Sequence, residues 1–231
     1  MPELTVVIPT LNAEEGLPAC LTALVPAAVQ GMVREVIVVD GGSSDRTLNI
    51  VDQAGADVVH AAPGRGEQLA LGAAQARQPW LLFLHADTVL EPGWEREVAT
   101  MIERIDSGRR SPTAAAFRFT LDDVGFRPRV IEMGVAVRCA LFGMPYGDQG
   151  LLIPRSLYQQ AGGYGRLPLM EDVDLARRIG RRRLTVLRAR AVTSAVRYRR
   201  DGYIRRSARN LSCLALFFLR VPPRVIARLY G

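Results

Sequence analysis

The sequence predicts a single α/β domain, with a mostly parallel sheet of the doubly wound type and helices on both of its faces. Three observations support this prediction. In the first half, short segments that are apolar throughout alternate with longer amphipathic segments, which is typical of buried parallel strands separated by helices. Polar residues follow each of these apolar segments. The length of 231 residues and the hydrophobic content of 48% suit one domain with a sizeable core.

The first half is expected to contain four strands separated by three helices. The strands are LTVVIPT (4–10), EVIVVD (35–40), ADVVHA (56–61) and WLLFLHAD (80–87). Between them, segments 14–30, about 45–54 and 66–76 are long enough for helices and have suitable patterns.

The second half is less regular. We predict a strand at 113–121, a helix at 129–143, and a strand followed by a helix within 149–164. Near the end, LALFFL (214–219) is far shorter than the roughly 20 residues of a membrane span. We therefore expect a helical C-terminal part in which this segment is packed or interfacial. No repeat or low-complexity linker divides the chain.

The charge is basic and unevenly distributed. The net charge is +7, every basic residue is an arginine, and the arginines concentrate between residues 177 and 209. Arginine suits phosphate-bearing ligands and acidic lipid. Nucleic-acid binding is not favoured, because few aromatic residues are interleaved and no RNA- or DNA-binding motif is present. Contact with an anionic membrane surface and formation of a homodimer stay open.

The cysteines and the N-terminal residues predict the compartment. Cys20, Cys139 and Cys213 are far apart and odd in number, which indicates free thiols in a reducing environment. The segment PELTVVIPTLN has neither the basic start nor the long apolar stretch of a signal peptide. We therefore expect a cytoplasmic protein, with peripheral contact at the inner face of the membrane as an open alternative.

Polar residues follow the carboxyl ends of all four predicted strands of the first half. They are Thr10 and Asn12 after the first, Asp40 after the second, Gly64, Arg65 and Gly66 after the third, and His85 and Asp87 after the fourth. Ligands of such sheets collect at the carboxyl ends of the strands. The sequence therefore predicts a binding site at this edge.

Two common nucleotide motifs are absent. The segment after the first strand, PTLNAEEG, lacks the GxGxxG of a dinucleotide-binding domain, and no GK[ST] of a P-loop occurs. After the second strand, DGGSSDRT (40–47) fits a tight turn in which Ser44 or Asp45 caps a helix. A capped turn does not explain Asp40, whose carboxylate could accept hydrogen bonds from a base or ribose.

Five motifs together closely resemble the inverting glycosyltransferases of family 2, which have the GT-A fold. They are VVIPTLNAEEGLPACL, EVIVVDGGSSDRT, LLFLHADT, YGDQGLLIPRSLYQQAGGY and LPLMEDVDLARRI, in the order and spacing of the family. Within the family, the chain resembles most the rSAM/selenodomain-associated bacterial transferases. The resemblance implies an enzyme of the hexosyltransferase type that moves a sugar from a UDP- or GDP-sugar to an unidentified acceptor. It further implies that residues 1–110 form a nucleotide-binding half and residues 111–231 an acceptor-facing half with C-terminal helices.

The resemblance also implies a divalent metal at the end of the fourth strand. The family commonly has Asp-x-Asp here, and its last carboxylate holds the metal on the nucleotide diphosphate; Asp87 matches that position. Mg²⁺ or Mn²⁺ suits such a site and helps the diphosphate to leave. His85 stands where the family often has the first acid. It could contact the ribose or diphosphate, ligate the metal, or serve as a packing residue.

Other residues are assigned to substrates on the same resemblance. The expected nucleotide-binding residues are Pro9, Thr10, Asn12, Glu14, Asp40, Gly42, Arg65, Gly66, His85 and Ala86. Arg65 fits a loop that reaches the diphosphate, with an ordinary surface turn as the alternative. In the family, the region of GMPYGDQG (143–150) lines the pocket for the donor sugar and acceptor. It offers Tyr146, Asp148 and Gln149, of which we select the last two.

The segment LPLMEDVDLARRI supplies the predicted base. On helical spacing, Asp172 shares a face with Leu175 and Ile179, whereas Asp174 faces arginines. An acid on the apolar side of a helix is costly unless it is paired or used. Inversion needs one base that deprotonates the acceptor hydroxyl. The family assigns that role to the aspartate of this ED motif, which implies Asp172 as the base and Glu171 as an acceptor contact.

Two alternatives are weighed against this function. A nucleotidyltransferase of similar architecture would usually carry a glycine-rich, basic signature after the first strand, and PTLNAEEG lacks it. A non-catalytic nucleotide-binding or membrane-surface module would be consistent with the loss of a full Asp-x-Asp. The presence of Asp40, Asp87, Glu171 and Asp172 argues against that second alternative.

Overall fold

The computed structural model describes residues 3–145 and 147–230, apart from the side chains of Phe142 and Tyr230. Within these residues, eight strands form one mixed sheet in the order β3-β2-β1-β4-β7-β6-β8-β5. The strands are β1 Leu4–Thr10, β2 Val33–Asp40, β3 Asp57–His60, β4 Trp80–Phe83, β5 Thr88–Leu90, β6 Ala114–Asp122, β7 Leu151–Pro154 and β8 Leu184–Ser194. Tyr146, a candidate from its motif, lies outside the described residues.

Helices flank the sheet. They are α1 Leu17–Thr22, α2 Val25–Val29, α3 Thr47–Ala54, α4 Arg65–Gln75, α5 Trp94–Asp106, α6 Phe126–Phe142, α7 Arg155–Gln160, α8 Glu171–Ile179, α9 Val196–Asp201, α10 Tyr203–Phe218 and α11 Pro223–Tyr230. The predicted single α/β domain is confirmed. β1, β2, β3 and β4 are mutually parallel, and β7 adds to β4 in the antiparallel direction.

The apolar strands form the core because their successive side chains point to opposite faces of the sheet. On one face, Val6 and Leu82 pack with α1 and α5; on the other, Val7 and Phe83 pack with α4 and α8. Covering both faces explains why β4 is apolar at every position and β1 at every position except Thr5 and Thr10.

Several predicted boundaries were wrong. The helix predicted over 14–30 starts only at Leu17 and is split into α1 and α2. The strand predicted over 80–87 ends at Phe83, so residues 84–87 are loop. The long strand β8 was not predicted, although the alternation of arginines with apolar residues in LTVLRARAVTS is typical of a half-buried strand.

The sheet register places the predicted site. Thr10 pairs with Asp40 at the carboxyl ends of β1 and β2, and β1 continues beyond the pairing of Val7 with Phe83 in β4. The loops after these strands therefore meet at one edge. At the other end of the sequence, α10 packs with α6, α9 and α11. Among the described helices, none combines the length and the apolar composition that a bilayer crossing requires.

Candidate active site

Asp40 organises the turn that follows β2. Its Oδ2 accepts hydrogen bonds from the backbone N–H groups of Gly42 and Ser43, both at 2.9 Å, and its Oδ1 accepts from the hydroxyls of Ser43 at 2.5 Å and Thr10 at 3.1 Å. Burial alone would raise the pKa of Asp40, but these bonds hold it below its ordinary value. Both oxygens are thus engaged within the turn, next to the end of β1 where Pro9 lies. Direct nucleoside recognition by Asp40 stays a prediction.

The loops after β1 and β2 are tied together by residues that we predicted to bind nucleotide. Asn12 has a left-handed backbone (φ +51°), and its Oδ1 accepts from the N–H of Ser44 at 2.9 Å while its own N–H donates to Ser43 Oγ at 2.9 Å. Glu14 Oε2 accepts from the N–H of Arg46 at 3.0 Å and pairs with its guanidinium at 3.2 Å. In this structure Asn12 and Glu14 therefore hold the two loops together, and nucleotide binding by them stays a prediction.

Gln68 was missed by sequence reasoning. This buried side chain of α4 donates from Nε2 to the carbonyl oxygens of Thr10 at 2.8 Å and Val39 at 2.7 Å. It thereby clamps the ends of β1 and β2. The signal for it is weak, because one glutamine in an amphipathic helix is usually exposed.

Small residues allow close approaches around the site. A side chain at Gly66 would collide with the carbonyl oxygen of Gly165, and one at Gly16 would lie 2.9 Å from the carbonyl oxygen of Ala86. Gly42 has φ +96°, which favours glycine. Packing thus explains the glycines at positions 16 and 66, while nucleotide binding by Gly66 and Ala86 stays a prediction.

A cavity of about 120 Å³ lies beyond these loops. The charged side chains and the histidine that line it are Arg65, His85, Asp87, Asp148, Asp172, Arg197 and Arg206. The structure therefore brings together the predicted base, metal ligand and diphosphate-contacting residues. It adds Arg197 and Arg206 from α9 and α10, which sequence reasoning treated only as part of a basic surface.

Asp172 lies on the wall of this cavity. Its Oδ2 accepts from the N–H of Gly147 and its Oδ1 from the N–H of Val173, both at 2.7 Å. The side chain is half-buried, so the predicted position on the apolar face needs correction. Because a carboxylate offers about four acceptor positions, these two hydrogen bonds leave further acceptor positions of Asp172 open to the cavity. As predicted, Asp174 forms a partly exposed ion pair with Arg178 at 2.7 Å.

Glu171 is the acid that α8 buries. It is 1% exposed, its Oε1 pairs with Arg65, and its Oε2 has no hydrogen-bond partner among the described residues. Burial raises the pKa of Glu171, Arg65 opposes that shift, and Asp172 adds to it. Glu171 does not line this cavity and contacts Arg65 in the structure, so its predicted contact with the acceptor stays a prediction.

His85 faces the same arginine. Its Nε2 lies 3.3 Å from Nη1 of Arg65. Burial, followed by the charges of Arg65 and Arg197, holds the pKa of His85 well below its usual value. The ring is therefore neutral, and Nε2 accepts the hydrogen bond from Arg65. A Cβ at Gly147 would lie 2.6 Å from this nitrogen, so any larger residue there would have to displace the ring of His85.

Gln149 does not reach the cavity. It is 1% exposed, donates from Nε2 to the carbonyl oxygen of Phe117 at 3.0 Å, and accepts through Oε1 from Arg138 at 3.3 Å. We predicted a donor-sugar or acceptor contact for it. In the structure it joins the 3₁₀ turn at residues 147–149 to β6, and the contact with the donor sugar or acceptor stays a prediction.

The acids of the cavity fit a hard cation. Oδ1 of Asp148 is buried and has no hydrogen-bond partner among the described residues. Burial, together with the charges of Asp172 and Asp87, raises the pKa of Asp148 to about 6. Within the described residues, no group of three or more His, Cys, Asp or Glu side chains could hold a metal alone. Mg²⁺ is commonly held by one or two carboxylates with substrate phosphates and water, and Asp87 with Asp148 offers that number.

Asp148→Asn is expected to raise the melting temperature of the cation-free protein at pH 8 more than at pH 4.5. Because the pKa of Asp148 rises from 3.8 to about 6 on folding, the folded protein binds this proton more tightly than the unfolded chain. The wild type therefore loses stability as the pH rises through this interval, whereas asparagine does not titrate. Melting curves in chelator at both pH values check this. The exposed Asp52→Asn is the control, and an Asp148→Asn difference independent of pH would contradict the prediction.

Comparison with known proteins identifies the family. The model of glycosyl transferase family 2 matches residues 5–163. An uncharacterized glycosyltransferase of Mycobacterium tuberculosis (strain H37Rv) is 30% identical over 197 residues, covering 76% of this chain and 86% of its own. A PGL/p-HBAD biosynthesis glycosyltransferase of the same strain is 31% identical over 170 residues, covering 62% of this chain and 61% of its own.

Solved structures agree on the fold. Glucosyl-3-phosphoglycerate synthase from Mycobacterium tuberculosis, in complex with Mn²⁺ and UDP-glucose, has a TM-score of 0.57 at 23% identity and covers 82% of this chain and 70% of its own. S. aureus TarS 1–349 has a TM-score of 0.62 at 15% identity, and the match covers 99% of this chain and 69% of TarS 1–349. The predicted GT-A fold is thus confirmed, while the rSAM-associated subgroup stays a prediction. The chain belongs to glycosyltransferase family 2.

Proposed function

We propose that the protein is an inverting, metal-dependent glycosyltransferase of the hexosyltransferase type that moves a sugar from a UDP-sugar to an acceptor hydroxyl. One observation supports this above all: Asp87, Asp148 and Asp172 share a single cavity with Arg65 and Arg197. The cavity thus combines three kinds of group. Asp87 and Asp148 could hold a metal ion, Asp172 could take a proton, and the two arginines could bind a diphosphate. Membership of the family favours this function over the nucleotidyltransferase and non-catalytic alternatives.

We propose UDP as the nucleotide of the donor because a protein of similar fold binds it. The glucosyl-3-phosphoglycerate synthase of similar fold is in complex with UDP-glucose and Mn²⁺. Asp87, with Asp148 beside it, would hold Mg²⁺ or Mn²⁺ in this chain. The bound cation would neutralise charge on the diphosphate as it leaves.

Two arginines are placed to bind the diphosphate. Guanidinium groups make strong, paired hydrogen bonds to phosphate oxygens. Arg65 is held in position by Glu171 and His85. Arg197 is exposed at the cavity wall. Its guanidinium forms no hydrogen bond to another described residue, so its N–H donors are available to a ligand. The neutral state of His85 lets it support Arg65 without adding a further charge.

Asp172 would act as the base. As the acceptor oxygen attacks the anomeric carbon, the bond from that carbon to the diphosphate oxygen breaks and the hydroxyl proton passes to Asp172. Attack from the face opposite the leaving group inverts the configuration. The hydrogen bonds from Gly147 and Val173 fix the orientation of the carboxylate.

A thermal-shift screen of UDP, GDP and dTDP, each with Mn²⁺ or with chelator, tests the donor assignment. A ligand that binds only the folded protein raises its melting temperature, by an amount that grows with concentration over Kd. UDP with Mn²⁺ is expected to give the largest rise, and UDP with chelator a smaller one. A larger rise with GDP or dTDP would mean that the donor carries that nucleotide instead of UDP. No rise with any of the three would contradict the proposed function.

A further inference from the structure

A second, larger concavity lies between α6 and α10. Its volume is about 960 Å³, and most of its wall is apolar, including Val130, Val135, Val137, Leu211, Leu214 and Phe218. Several of these side chains are far from buried, with Val137 51% and Leu211 66% exposed. A contiguous exposed apolar surface of this kind usually marks a binding site. The volume is in the range of sites for small molecules. We call it the α6–α10 groove.

The α6–α10 groove opens onto the candidate active site. Asp148, Tyr198 and Asn210 line both the groove and the reaction cavity. A molecule that lies in the groove would therefore have one end beside the cavity wall that carries Asp172. The groove is thus continuous with the place where an acceptor hydroxyl has to be.

Two buried polar atoms at this junction lack a hydrogen-bond partner among the described residues. They are Oδ1 of Asn210 and Oγ of Ser207. Both residues line the groove. Buried polar atoms are costly unless they are satisfied, and a polar group on a bound molecule would satisfy them.

The charges of the groove also restrict its occupant. Its charged side chains are Arg138, Arg177, Arg181 and Asp148. The guanidinium of Arg177 lies over the ring of Phe218 at 5.3 Å, which keeps this arginine at the apolar wall. This excess of positive charge disfavours a cationic amphiphile and suits a neutral or anionic one.

We propose that the acceptor is an amphiphile, with a hydroxyl head group that reaches Asp172 and one long hydrocarbon chain that lies in the α6–α10 groove. This inference rests on the proposed function, because it identifies the acceptor of that same site. An occupant has to place a polar head at the inner end and a long apolar body behind it. A fatty or isoprenoid alcohol has this shape.

Gly134 allows the groove to be blocked without disturbing the fold. It lies on α6, lines the groove, and a Cβ built on it meets no atom within 4 Å. Gly134→Trp would therefore fill the groove, and Gly134→Ala is the matched control that leaves it open. Leu211→Asp places a charge in the groove. Its control is Leu219→Asp, because Leu219 is 75% exposed and lies outside the groove.

The test uses dodecanol that carries a nitrobenzoxadiazole fluorophore. The wild type is expected to bind it saturably, with displacement by plain n-dodecanol. Gly134→Trp and Leu211→Asp are expected to weaken binding at least about tenfold, and the two controls to leave it unchanged. All four variants should keep the wild-type thermal shift with UDP and Mn²⁺, which shows that they are folded and that the donor site is intact.

Each other outcome overturns the inference. Equal binding by Gly134→Trp and Gly134→Ala would place the probe elsewhere. Binding that requires anionic vesicles would make the surface a membrane contact. A dimer that Leu211→Asp dissociates, without probe binding by the wild type, would make the groove an interface between copies. Failure of the proposed function would show separately, as loss of the UDP and Mn²⁺ shift in the wild type.

Discussion

Asp172→Asn is expected to leave nucleotide binding unchanged and to slow sugar transfer at least about a hundredfold, since loss of general-base catalysis costs about 10²–10⁴-fold. Asparagine keeps an oxygen that can accept from the N–H of Gly147, but it cannot take a proton at neutral pH. Transfer is measured as release of nucleoside diphosphate from the donor, with water as the acceptor until the natural one is identified.

Asp174→Asn is the matched control, because it changes the same group two residues away in the same helix. Asp174 is occupied by an ion pair with Arg178 on the partly exposed side of α8, so its replacement should change the rate little. Equal losses in the two variants would contradict the assignment. So would near-full turnover of Asp172→Asn, and the base would then have to be one of the other two acids on the cavity wall, Asp87 or Asp148.

The edge of the sheet that carries the candidate site could be predicted from the sequence because its signal is local. Each of the first four strands is an apolar run that ends in polar residues, and the carboxyl ends of parallel strands meet at one edge. Arg65, His85 and Asp87 were placed there on that argument, and the structure brings them into one cavity. Asp148 and Asp172 were placed by the resemblance to the family, and they line the same cavity.

The contributions of the C-terminal helices could not be predicted in this way. Arg197 and Arg206 reach the cavity from α9 and α10, and in the sequence they are two of many arginines without a distinctive spacing. The α6–α10 groove depends on how two distant helices approach each other. No local pattern contains that information.

The orientation of α8 shows a further limit. Helical spacing gives the angle between Glu171 and Asp172 but not which of them faces the core. Met170, before the helix, has a left-handed backbone with φ +66°, and the helix begins directly at Glu171. This entry directs Glu171 into the core and leaves Asp172 on the cavity wall, so the acid predicted to be buried was the wrong one.

Asp87→Ala is expected to remove the dependence of nucleotide binding on the cation. Asp87 follows β4 and lines the cavity. Its loss leaves Asp148 as the remaining candidate metal ligand beside the diphosphate. Affinity for UDP in Mn²⁺ should fall at least about tenfold, or about 1.4 kcal/mol. Asp52→Ala, which removes an exposed carboxylate from α3, is the control and should bind UDP as the wild type does.

Calorimetric titration of UDP into these proteins, with Mn²⁺ and with chelator, tests most directly whether the cavity is a metal-assisted nucleotide site. We expect the wild type and Asp52→Ala to bind UDP more tightly in Mn²⁺ than in chelator. We expect Asp87→Ala in Mn²⁺ to bind UDP as weakly as the wild type does in chelator. A wild type with equal affinity in both conditions, or an Asp87→Ala variant that keeps the full effect of Mn²⁺, would contradict this expectation.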